Sequence, residues 1–305
     1  MIRQTKHRGS VSAILCSDIH LREDKPICRT DDYWNAQWKK MDYIGYLQGK
    51  YDCPVLCGGD LFNHWKPSPM LLSETIKHIP KQFFTVYGQH DLPQHNLDLA
   101  YKSGIFTLWM GGHIELLAQG HWGQEIDINK SSITLEKIPI LVLHITTYVG
   151  SLPFEATPAS KILKDYPQYK LILTGDNHQP FVTRIQDSYV NGVEKFRLLV
   201  NPGSMMRMTA DQINHDPRVY LWYAESNTVE PIYLPIEEDV ISREHIDIQQ
   251  KRDARIDAFI SSLDGDWKAT MSFEDNLQVF EKKNNVEKEV MNIIYKSLEN
   301  EKSQI

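Results

Sequence analysis

Asp, His and amide side chains recur at the ends of short apolar runs, and that recurrence is the first feature able to do chemistry. "AILCSDIH" ends in Asp18 and His20, "PVLCGGDLFN" in Asp60 and Asn63, and "FFTVYGQHD" in Gln89, His90 and Asp91. "IPILVLHI" carries His144, "LILTGDNH" carries Asp176 and His178, and "LLVNPGS" closes on Asn201, Pro202 and Gly203. Taken singly, a D-x-H or a His such as His144 is more often a satisfied core residue than a ligand. Repeated at successive strand ends, the same types predict one convergent site. In a sheet with a parallel core, sites form beyond the carboxyl ends of the strands, where several strands aim side chains at one point.

The elements that must position these residues follow from the pattern. Each run is too short for a helix and rich in branched or aromatic residues, as buried strands are. Between them, "DYWNAQWKKMDYIGYLQ" and "SPMLLSETIKHIP" fit helices, the second starting at Ser68 and Pro69. Alternating strand and helix predicts an α/β fold. "EIDINKSSITLEKIPI" reads as a hairpin.

The 305 residues allow one large domain or a domain with an appendage. The four cysteines, Cys16, Cys28, Cys53 and Cys57, lack C-x-x-C spacing and are expected as free thiols. The "AILC" run is too short for a signal peptide core, and nothing approaches a membrane span, so a cytoplasmic protein is expected. The net charge of −7 argues against bulk attraction to nucleic acid while leaving room for a local basic groove.

In order and wording the motifs resemble the calcineurin-like metallophosphoesterases: Asp18-Ile19-His20, Gly59-Asp60, Gly88-Gln89-His90-Asp91, His144, then Gly175-Asp176-Asn177-His178. "GGDLFNHWKPSP", "GQHDLP" and "NPGSMMRM" narrow the resemblance to the SbcD family of DNA-repair nucleases, in a short bacterial or phage form. That resemblance implies a sandwich of two mixed β-sheets flanked by helices, in a domain over residues 1–237, and the helical periodicity after it predicts a helical C-terminal region over 238–305. It also implies two divalent metals, manganese first, with magnesium or iron as alternatives. Asp18, His20, Asp60 and His178 would hold one metal, and Gln89, His144 and Asp176 the other, with Asp60 shared. His90 is the implied proton donor to the leaving oxygen, while Asp91 either orients it or caps the loop. Asn63 and Arg207 are candidate nucleic-acid contacts, an ordinary surface arginine being the alternative for Arg207.

Two positions depart from the family pattern: Asp176 stands where a histidine is usual and Gln89 where an asparagine is. Both keep an oxygen donor, which argues against a catalytically silent relative. Three carboxylates without a thiolate favour Mn or Mg over softer metals.

Beyond the strands, Ile256, Phe259, Ile260 and Leu263 form a helical stripe. Ser272 with Asp275 makes a capping box, and Val286, Val290, Ile293, Ile294 and Leu298 form a further stripe. In SbcD-like proteins this region caps the DNA and binds an SMC-like coiled-coil ATPase of the SbcC type. DNA, that ATPase and a second copy of the chain are therefore the implied partners, with no membrane. The competing readings are a small-molecule or protein phosphoesterase and a non-catalytic scaffold.

Overall fold

The computed structural model describes residues 9–117, 131–150, 156–190, 193–263, 273–284 and 286–302. The chain divides into two units, Met1–Ser242 and Arg243–Ile305. Among the described residues, no helix is long and apolar enough to cross a membrane.

The first unit has an α/β fold with two mixed sheets flanked by helices. In one sheet, β1 (Ala13–Cys16), β2 (Val55–Cys57), β3 (Phe83–Thr85) and β4 (Glu115–Leu116) run parallel. The second contains β5 (Ser132–Leu135) and β6 (Ile138–His144), joined as the expected hairpin where it is described; residues 125–130 of that stretch lie outside the described residues. A two-stranded ribbon pairs β7 (Thr147–Tyr148) with β8 (Thr157–Pro158). Next come β9 (Leu171–Gly175), β10 (Phe181–Val190) and β11 (Val193–Asn201) in the second sheet, with β6, β9 and β11 parallel. Antiparallel β12 (Arg218–Tyr223) and β13 (Thr228–Tyr233) complete the first sheet beside β1.

Alternation along the strands sorts the core into layers, because successive side chains face opposite sides of a sheet. Ala13 and Leu15 meet Val142, Leu173 and Val200 between the sheets. Ile14 and Cys16 face the opposite side, in a core shared with Met41, Ile44 and Leu71. Those residues come from α1 (Tyr33–Tyr51) and α2 (Pro69–His78), which with α3 (Gly104–Met110) follow the first three strands. Leu141, Leu143 and Ile172 pack against Ile162 and Leu163 of α4 (Ala159–Asp165) on the outer face of the second sheet.

Local chemistry sets the helix ends. Ser68 caps α2, its hydroxyl accepting from Leu71 N–H at 3.2 Å, with Pro69 as the first helical residue. Asp32 caps α1 in the same manner through Asn35 N–H. The four thiols are free and buried.

The second unit holds α5 (Glu244–Leu263), α6 (Phe273–Asn284) and α7 (Lys288–Lys302). Among the described residues Leu277, Phe280 and Met291 are its buried apolar side chains, and Tyr295 OH donates to Glu281 at 3.3 Å. Of the expected stripe, Val286, Val290 and Ile294 are half-buried and Ile293 is exposed, while Met291, outside the stripe, is buried. Ile256 of the α5 stripe is exposed as well, and Ser272, the expected cap of α6, lies outside the described residues. The side chains of Phe259, Ile260, Leu263 and Leu298 also lie outside them.

Candidate metal centre

Because β1, β2 and β3 are parallel in one sheet, and β6, β9 and β11 in the other, each set ends at one sheet edge, and the residues just past those ends meet. Asp18, His20, Asp60 and Asp176 all adopt left-handed backbone, with φ of 49°, 49°, 52° and 75°. Asp and His are among the few types enriched there, and such strained positions cluster at functional sites.

Asp60 is the hub. Its Oδ2 lies 3.6 Å from His20 Nε2 and 3.3 Å from His144 Nε2. On one side, His20 Nε2 and His178 Nε2 are 3.1 Å apart, and Asp18 Oδ1 is 3.8 Å from His178 Nε2. On the other, His144 Nε2 is 3.9 Å from Asp176 Oδ1, to which Gln89 Nε2 donates at 2.6 Å. All seven residues expected as ligands therefore join one network, drawn from both sheets.

Surrounding groups fix how these side chains point. His144 Nδ1–H donates to Gly58 O at 2.7 Å, which sets the ring with Nε2 toward Asp60. Asp176 is held from three sides: Gln89 on one oxygen, the Thr146 hydroxyl on the other, and its own N–H donating to Asp18 Oδ1 at 3.0 Å. The turn "YGQHD" needs glycine first, since a Cβ on Gly88 would sit 1.9 Å from Asp60 Oδ1.

The protonation pattern follows from burial and charge. Burial holds His20 down to about 3, so it is a neutral donor. Burial also works against charge on His144, but the adjacent Asp60 carboxylate prevails and holds it well above the usual histidine range. Asp60 is correspondingly held below the ordinary carboxylate range: burial opposes this, and the charge and hydrogen bond of His144 outweigh it.

The residues present fit a divalent cation. Asp18 Oδ2, Asp60 Oδ2, Gln89 Oε1 and His144 Nε2 are buried without a hydrogen-bond partner. Buried polar atoms are rarely left so, and four of them meet in this one cluster. Asp18 with His20 and His178, and Asp18 with Asp60 and His144, each gather ligand atoms within 4.8 Å of one another. Gln89 uses its amide nitrogen on Asp176 and leaves its oxygen unengaged, as a ligand requires.

His90 is exposed beside this cluster, its ring centroid 4.9 Å from that of His20. Its Nδ1–H donates to Asn63 O and its backbone N–H to Asp60 Oδ1, both at 3.0 Å. Asp91 corrects the expectation of a catalytic partner. It is fully buried and accepts from Gly88 N–H at 3.0 Å, Phe62 N–H at 3.0 Å and Leu61 N–H at 3.2 Å. Its work is to cap the loop, which was one of its two expected roles. Burial and the Asp60 charge push its pKa up to about 7, against the pull of those amides.

Asn63 is half-buried and meets His90 through its backbone carbonyl. Arg207 is a correction: it is 7 % exposed, and its guanidinium donates to Glu237 O at 2.6 Å and Ile213 O at 3.4 Å. A guanidinium committed to the chain's own carbonyls does not meet a phosphate. Thr146 was missed by sequence reasoning, and a hydroxyl two residues past His144 carries no signal of its own. Asn201 was visible as a strand end without a role.

A mixed carboxylate, imidazole and amide centre at the shared edge of two sheets defines a metal-dependent phosphoesterase. Residues 12–220 match the calcineurin-like phosphoesterase superfamily domain, and the chain belongs to that superfamily, whose members use divalent metals. No curated protein matches the chain. Similar solved structures include a metallophosphoesterase from Sphaerobacter thermophilus, with 12% identity, TM-score 0.39, and 75% of this chain and 89% of that one covered. Others are zinc-complexed Vps29 from Entamoeba histolytica (12%, TM-score 0.31, coverage 73% and 97%) and a predicted phosphoesterase from Streptococcus pneumoniae TIGR4 (12%, 0.32, 74% and 99%).

Proposed function

We infer that this chain is a two-metal phosphodiesterase that cuts DNA, an SbcD-like exonuclease and endonuclease subunit working with an SMC-like coiled-coil ATPase. The observation that carries the reading is that six further ligand residues gather in one network around Asp60, which lies between His20 and His144, with unpartnered ligand atoms on both sides of it. The choice of DNA rests on wording: Gly59-Asp60-Leu61-Phe62, Pro67-Ser68 and Pro202-Gly203-Ser204 are similar to the nuclease subfamily.

Asp18, His20, Asp60 and His178 would hold one ion, and Asp60, Gln89, His144 and Asp176 the other. When bound, such ions would lower the pKa of a bound water and neutralise phosphate charge. The remaining work belongs to the chain. His90 is exposed beside the cluster and oriented by Asn63 O, so it can hold a proton for the leaving sugar oxygen. Asp91 keeps the His90 turn fixed against the loop that bears Asp60. The all-oxygen and imidazole donor set favours manganese, with magnesium or iron able to substitute.

The test is a manganese-dependent assay on labelled duplex and single-stranded DNA, with His90→Ala and Asp60→Ala as controls. DNA cleavage lost in both variants supports the reading. Rapid hydrolysis of a generic phosphodiester without DNA cleavage would refute it in favour of a small-molecule enzyme, and no activity on either would favour a scaffold. Co-purification with a coiled-coil ATPase tests the partner.

A further inference from the structure

We propose that Asn201 and the turn after it brace the metal centre by fixing the backbones of His178 and Asp18 relative to each other, one ligand from each sheet. Asn201 ends β11 and is fully buried. Its Nδ2 donates to Asn177 O at 2.6 Å and Gln179 O at 2.8 Å, on either side of His178. Ser204 N–H takes the carbonyl between them, His178 O, at 3.2 Å. Three consecutive carbonyls of the ligand loop are thus held by one turn.

The same turn reaches across to the other sheet. Met205 N–H donates to Asp18 O at 3.1 Å. There is no slack in the contact, because a Cβ on Gly203, at φ +75°, would lie 2.6 Å from His178 O. The turn is itself pinned from behind: Ser204 Oγ donates to Met206 O and accepts from Gln212 Nε2, each at 2.9 Å, and His215 Nε2 donates to Ser204 O at 2.7 Å. Asn201 is therefore a positioning residue for the ion that Asp18, His20, Asp60 and His178 would hold, acting through backbone rather than by contact. Outer groups of this kind typically change metal affinity about 10–100-fold when lost.

The inference rests on the two-metal reading. A matched control exists, because Asn227 Nδ2 also clamps two carbonyls, Lys170 O at 3.0 Å and Phe196 O at 2.8 Å, on the β12–β13 turn. Manganese titrations by calorimetry and electron paramagnetic resonance, with melts of the metal-free protein, compare Asn201→Ala and Asn227→Ala. Asn201→Ala is expected to weaken one manganese site about 10–100-fold and leave the other near wild type. Asn227→Ala is expected to lower the melting temperature while leaving both sites unchanged. Wild-type manganese binding in Asn201→Ala, or an equal loss in Asn227→Ala, overturns the proposal. Wild-type protein that binds no manganese overturns the metal reading instead. If Asn201→Ala does not fold, Asn201→Ser keeps one donor and is expected to weaken the same site to a lesser degree, and unchanged affinity there also overturns the brace.

Discussion

Gln89 Nε2 donates to Asp176 Oδ1 at 2.6 Å, so the two positions at which the chain departs from the family pattern are bonded to each other. An asparagine at 89 would fall about 1.5 Å short of that contact. The longer amide and the shorter acid form a matched pair, and Gln89 Oε1 stays without a partner. Gln89→Asn and Asp176→His should each weaken manganese binding, while the double variant recovers part of the loss. Calorimetric affinities in a double-mutant cycle should give a coupling of about 0.5–3 kcal/mol. Strict additivity would show that the two exchanges are independent.

His90 and Asp91 are neighbours with separable work. His90 is exposed, so His90→Ala should move stability by less than about 0.5 kcal/mol. It should lower DNA cleavage about 100-fold or more, the usual range for a lost proton donor. Asp91→Ala strands the amides of Gly88, Leu61 and Phe62 in the interior. Buried donors left unpaired cost about 1–3 kcal/mol each, so the melting temperature should fall sharply. Urea melts alongside turnover measurements check both halves, and a destabilised His90→Ala with normal turnover would reverse the assignment.

That division marks where the sequence stops being legible. The ligands could be read because strand ends in parallel sheets share one edge, so Asp, His and amide types there announce themselves before any contact is known. Ser68 and Pro69 could be read because a helix start is local chemistry. Whether Asp91 orients His90 or caps the loop could not be chosen, since that depends on where the turn's own amides are placed. Arg207 could not be recognised as buried, because its partners Glu237 and Ile213 come from other turns of the chain. That Met291 is buried and Ile293 exposed on α7 likewise depends on packing that a stripe of apolar residues leaves undetermined.

Lys40 lies on the buried face of α1 and is 3 % exposed. Burial, with Arg29 and Arg207 nearby, lowers its pKa to about 8, while Asp31 and Glu237 pull the other way. The unfolded chain therefore binds this proton more tightly, so the group's contribution to stability rises with pH between about 8 and 10.5. Below pH 8 the folded state carries the full penalty, about 3 kcal/mol at roughly 1.4 kcal/mol per pKa unit. Lys40→Met should raise the melting temperature at pH 7 and remove that rise at alkaline pH. Thermal melts at pH 7 and pH 10 decide it, and a variant less stable than wild type at pH 7 would show that the charge is favourably placed.

Asp60 is the carboxylate that both halves of the centre share, within 3.6 Å of His20 and 3.3 Å of His144. A ligand that binds only the folded state stabilises it by about 2.7 kcal/mol at a hundredfold excess over its dissociation constant. Manganese should therefore raise the wild-type melting temperature, and chelation should return it to the metal-free value. Histidine ligands hold an ion only when neutral, and against burial the Asp60 carboxylate keeps the His144 pKa above the usual histidine range, so affinity should fall as pH drops. Asp60→Ala should lose the manganese-induced rise at both sites together, whereas Gln89→Ala should lose it at one. Melts with and without manganese, at two pH values, separate these outcomes. A full manganese response in Asp60→Ala would mean that the ions are held elsewhere, and a single-site loss would mean that Asp60 is not shared.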